Sequence, residues 1–133
     1  MKKQVEAWNY DACKHLLIVS IIIDNPDLTN GVAFHCQQAI EKYLKAFLIA
    51  CDIKVIRTYD LARLYDLVKQ IRDFGFDLDL LDTLTRLFND SRYPNDNIGL
   101  LPYGVPTEEQ ARVFYAFAKD VEQKIKAALN DGE

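Results

Sequence analysis

The chain has 133 residues, half of them hydrophobic and 27% charged, with a net charge of −4. This is globular composition for one domain over residues 1–133; it excludes a disordered chain and a whole-protein positive field for nucleic acid, leaving only a local basic patch for that purpose. Cys13, Cys36 and Cys51 form no CxxC pair and sit beside apolar residues, as reduced, partly buried thiols do.

Val5, Trp8, Ala12, Leu16, Val19 and Ile23 recur at three- and four-residue steps, the spacing of one helical face. Pro26 disfavours helical backbone at Asn25, so the first helix is predicted to stop there. The run LLIVSIII (16–23) has strand propensity, but the helical period continues unbroken from Val5 and the sequence offers no partner strand. Interrupted by Ser20 and followed by Asp24, the run is too short to span a bilayer, and no small-residue cleavage site follows it; a cytoplasmic protein is expected. Being apolar on nearly all sides, this half of the helix calls for cover on more than one face. A second subunit could supply part of it, with Leu17, Ile21 and Ile22 at a homodimer interface.

A second helix is predicted over residues 30–50, with Ala33, Cys36, Ile40, Leu44, Phe47 and Ala50 inward. Residues 52–58 connect it to a third, which Thr58 or Asp60 can cap and which turns Leu61, Leu64, Val68 and Ile71 to the core. A turn at Phe74-Gly75-Phe76 precedes a fourth helix, capped by Asp77 and facing inward through Leu80, Leu81, Leu84, Leu87 and Phe88. The stretch SRYPNDNIGLLPYGVP (91–106) is the longest irregular piece, and long loops in compact domains are commonly functional. Thr107 and Gln110 read as a capping box for a last helix with Phe114, Ala118, Val121, Ile125 and Ala128 inside. The fold expected is all-α, a single-domain antiparallel bundle of about five helices.

The second helix also carries polar residues at helical spacing: Gln38, Glu41, Lys42 and Lys45. They form either a solvated face, with a Glu41–Lys45 pair contributing roughly a few tenths of a kcal/mol, or, with Gln37, the border of a groove where the lysines meet phosphates. His15 and His35, the two histidines of the chain, read as boundary residues, and with so few imidazoles no metal centre and no cofactor is expected.

FHCQQAIEKYLKAFLIA (34–50) followed by TYDL (58–61), together with DSRYPND (90–96), resembles the HEPN family, named for higher eukaryotes and prokaryotes nucleotide-binding. The resemblance covers roughly residues 3–130 and implies a helical bundle that commonly dimerises. It also implies work beside a minimal nucleotidyltransferase in toxin–antitoxin-like or nucleotide-handling pairs. Other branches of the family are metal-independent RNases that pair an Arg with a His four to six residues later. Here Arg92 occupies the place of that Arg, but residues 97–99 are Asn97, Ile98 and Gly99, and no His follows His35. Asn97 can hydrogen-bond but cannot exchange a proton near neutral pH, as cleavage at a 2′-hydroxyl requires. Tyr59 stands where relatives often carry His before the Asp-Leu.

Arg92 can bind a phosphate or carboxylate with its planar fork, or bond carbonyls of its own helix or pair with Asp90, Asp96 or Glu41. Tyr93 could stack on a base, and Tyr93 and Tyr103 are conceivable acceptors of a transferred nucleotide. The sequence therefore reads as a non-catalytic module that dimerises and engages a nucleotidyltransferase, a nucleotide or an RNA phosphate near Arg92. Its candidate contacts are Arg92, Tyr93, Asn97, Gln38, Glu41, Lys42 and Lys45. The alternative is a metal-independent RNase with a variant site.

Overall fold

Five helical segments emerge from the apolar spacing in a computed structural model that describes residues 2–92 and 105–131, with the backbone alone at Ser91 and Arg92. They are α1 (Lys3–Ile22), α2 (Thr29–Ala50), α3 (Leu61–Ile71), α4 (Leu78–Arg92) and α5 (Glu108–Asp131), with a 3-10 turn at Pro26–Leu28. Among the described residues there is no strand, so the β-branched run of α1 is helical.

Local chemistry sets the boundaries. Asn25 accepts from the Asp27 amide and opens the turn at Pro26. α2 ends where Asp52 adopts left-handed backbone (φ 59°), with Ile53 N–H donating to Leu48 carbonyl at 2.9 Å and Asp52 N–H to Ile49 carbonyl at 3.0 Å, a Schellman closure. Lys2 fastens the start of α1 to this end by donating to Ile49 carbonyl and pairing with Asp52. Of the two cap candidates for α3, Asp60 takes the amides of Ala62 and Arg63, while Thr58 accepts from Asp60 itself. Asp77 caps α4, and Thr107 and Gln110 form the reciprocal capping box of α5.

α2 is the axis of the bundle and touches α1, α3, α4 and α5. Tyr43, Leu44, Lys45, Ala46, Phe47 and Leu48 are all buried in succession, so its C-terminal half is enclosed on every side. Val5, Ala12, Leu16 and Val19 of α1, Leu61, Leu64 and Val68 of α3, Leu81, Leu84 and Leu87 of α4, and Phe114, Ala118, Val121 and Ile125 of α5 close around it. Ile71, expected inward, is exposed because it closes α3 beyond Val68, the last residue of that helix in the core. One chain covers α1 on one face only: Leu16 and Val19 are buried, whereas Leu17 and Ile21 are 60% and 75% exposed. The thiols are free, with Cys36 buried, Cys51 half-buried and Cys13 exposed rather than partly buried. No described helix is long and apolar enough to cross a membrane.

The α3–α4 connection is organised by one buried hydroxyl. Tyr65 Oη accepts from the amides of Phe74 and Gly75, both at 3.0 Å, and donates to Asp73 at 2.8 Å. Gly75 supplies the positive φ of 71° that the turn needs. Replacing Tyr65 with Phe leaves the Phe74 amide without this acceptor, while the Gly75 amide keeps Asp73 Oδ1 at 2.9 Å, and should destabilise the fold by about 1–3 kcal/mol in urea unfolding. An unchanged midpoint would mean that water replaces the hydroxyl.

Candidate functional site

Glu41, Lys45 and Gln37 are spaced by four residues, which stacks them along one side of α2. Lys45 Nζ donates to Glu41 Oε2 at 2.9 Å, and Gln37 Nε2 donates to Glu41 Oε1 at 3.2 Å and to Tyr59 carbonyl at 2.8 Å. Gln38 Nε2 completes the ladder by donating to Gln37 Oε1 at 2.7 Å. The orientation of the Gln37 amide is forced: reversed, its oxygen would face a carbonyl and a carboxylate. The solvated-face reading of this stripe is corrected here. Gln37 is fully buried, and the Lys45 and Glu41 side chains are 9% and 12% exposed, because Trp8 of α1 covers Lys45, with its ring centre 5.6 Å from the ammonium.

The ladder reaches α4 through the segment that precedes α3. Gln37 holds the backbone of Tyr59, and Tyr59 Oη donates to Asn89 Oδ1 of α4 at 2.9 Å. Thr85 Oγ1 accepts from the Leu61 amide at 3.1 Å, a second tie between the same two segments. Around them Phe88 packs on Phe34 (ring centres 5.3 Å apart) and on Tyr59 (5.5 Å). Arg92 is the last residue of α4, less than one turn beyond Asn89, so its backbone is mounted on this clamped helix end. Tyr93, Asn97 and Tyr103, like the rest of the long loop up to residue 104, lie outside the described residues.

The structure thus brings Gln37, Gln38 and Glu41 together with Tyr59 and the end of α4, but turns the two lysines elsewhere. Lys45 is committed to Glu41 and Trp8. Lys42 points to α1, where its ammonium lies 3.0 Å from His15 Nε2 and 4.0 Å from the Asp11 carboxylate. His15 Nδ1 in turn lies 2.9 Å from His35 Nδ1. Burial together with the Lys42 charge pushes His15 down to about 4, and burial also lowers His35. Reading His15 and His35 singly missed this string. The only hint was the spacing of Asp11 to His15 and of His35 to Lys42, which puts each pair on one face of its helix.

Of the interface candidates, Leu17 and Ile21 form an outward stripe with Tyr10, 64% exposed, whereas Ile22 packs against the core beside Gly31. The buried Glu41–Lys45 pair has a clear energetic signature. Glu41→Gln strands an ammonium under Trp8 and should destabilise the protein by about 3 kcal/mol, while Glu41→Gln with Lys45→Met should recover most of the loss. Equal stability of the single and double variants would show that the pair is solvated.

The sequence matches the HEPN domain over residues 22–128, a span holding the α2 ladder, the Tyr59 segment and the end of α4. The crystal structure of an archaeal HEPN homologue is similar in fold, with a TM-score of 0.73 and 23% identity over 97% of this chain and 99% of that one. No curated protein matches the sequence.

Proposed function

The chain belongs to the HEPN family, and from that premise we propose that it is a non-catalytic binding module: a homodimer that engages a minimal nucleotidyltransferase, or a nucleotide, near Arg92. The observation that carries this reading concerns acid–base groups. The chain has two histidines, which are tied to each other, and His15 is tied to Lys42, in the seam between α1 and α2. Neither follows Arg92 in the chain, so the imidazole that serves metal-independent RNA cleavage elsewhere in the family has no counterpart after that residue. Binding asks less of the site. A guanidinium mounted on a fixed helix end can meet a phosphate or a carboxylate bidentately without proton transfer.

The ladder contributes position rather than charge. Gln37 and Tyr59 fix the end of α4 against α2, while Glu41 cancels Lys45. Gln38 is the half-exposed member and the one best placed to orient a ligand or a partner carbonyl. Arg92→Ala should abolish co-purification of the nucleotidyltransferase from native cells and weaken nucleotide binding at least about tenfold in calorimetry, the worth of one charge-assisted bidentate contact. Unchanged binding in both assays would remove the proposed site. Cleavage of labelled RNA in the presence of chelator, lost in Arg92→Ala, would replace the binding reading with the RNase one.

Leu17 and Ile21 supply the dimer surface in this proposal, with Tyr10 at its edge, since a stripe on one helix can pair with its own copy about a two-fold axis. Ile21→Lys should convert a dimer into a folded monomer in light scattering after gel filtration, with unchanged helical content. A monomeric wild type would end the dimer reading.

A further inference from the structure

A string of three nitrogen-bearing side chains in the α1–α2 seam is given no ligand by the binding reading. Lys42 Nζ, His15 and His35 follow one another at 3.0 and 2.9 Å, with the imidazole rings tilted by 34° and their centres 5.1 Å apart. An ammonium has only protons to give, so His15 Nε2 is a bare acceptor and the proton of His15 sits on Nδ1. That proton faces His35 Nδ1, which must also be bare, leaving the proton of His35 on Nε2. A single arrangement of protons satisfies both contacts.

We propose that this string is a proton-operated latch between α1 and α2, closed only while both imidazoles are neutral. A proton added to His15 Nε2 sets an N–H against the Lys42 ammonium. A proton added to His35 Nδ1 sets two N–H groups face to face, and moving the His15 proton to Nε2 only transfers the conflict to Lys42. The other groups acting on His15 are Asp11 and Lys14 of its own helix. Among the charges of α5, Arg112 pairs with Asp24, and Glu122 with Tyr43 and Lys126. Asp11, 4.0 Å from Lys42 and half exposed, is where a released ammonium can settle.

The pH dependence has a definite sign. Both imidazoles resist protonation in the fold, His15 down to about 4 against 6.5 for the free group. The unfolded chain therefore takes up protons first; stability is complete above about pH 6.5 and falls as the pH drops below it.

Imidazole ¹⁵N spectra of the intact protein test the latch. At about pH 7.5 we expect His15 as the Nδ1–H tautomer and His35 as the Nε2–H tautomer. In Lys42→Met the His15 pKa should rise by roughly one unit or more, and the fall in Tm between about pH 6.5 and 5 should shrink. His15 as the Nε2–H tautomer, a wild-type His15 titrating near its free value, or equal falls in Tm would each overturn the proposal. The tautomers are read in the wild type, so the test survives a Lys42→Met variant that does not fold.

Discussion

Enclosure of α2 is the constraint on which the rest of this molecule depends. A helix in contact with four others has almost no solvent to offer its side chains, and a polar group without solvent must find its partner in the protein. Gln37, Glu41 and Lys45 obey this rule by satisfying one another, with the backbone of Tyr59 taking the remaining amide proton of Gln37. Tyr43 does the same at longer range: its hydroxyl donates to Glu122 of α5, and burial with that neighbour raises its pKa. The polar residues of α2 therefore fix the neighbours of α2 as well as their own rotamers.

Two polar systems result, on adjoining faces of one helix. One runs from Gln38 through Gln37 and Tyr59 to Asn89, and couples α2 to the end of α4. The other runs from Lys42 through His15 to His35 and couples α2 to α1. Their chemistry differs. The first is built from amides, a phenol and a carboxylate–ammonium pair. The second depends on imidazoles, whose ordinary titration lies near neutral pH. The first system holds the α4 end against α2, and the second places the two imidazoles of the chain in the α1 seam.

Most of the fold was legible in the sequence because its signals are local. Apolar spacing gave five helices, and Asp60, Asp77 and the Thr107–Gln110 pair each cap the helix assigned to them. The candidate site was harder to read. Gln37 and Lys45 have the composition of a surface stripe, and nothing in their spacing says that Trp8, from a distant part of the chain, will lie over Lys45. The meeting of His15 with His35 depends on the register between α1 and α2, which a single sequence does not encode in any local pattern. Tyr59 could be located at a helix start from sequence. Its bond to Asn89 needed the fold.

The same enclosure sorts the thiols by reactivity. Cys36 lies on the enclosed helix, and burial pushes its pKa up to about 12, so at neutral pH the nucleophilic thiolate is almost absent. Cys13 is exposed on α1, three residues after Tyr10 and four before Leu17. In a single chain an electrophile or a mild oxidant therefore meets Cys13 on the outward helix before Cys36. The protein carries its own site for attaching a fluorophore or spin label beside the apolar stripe, without any engineered residue.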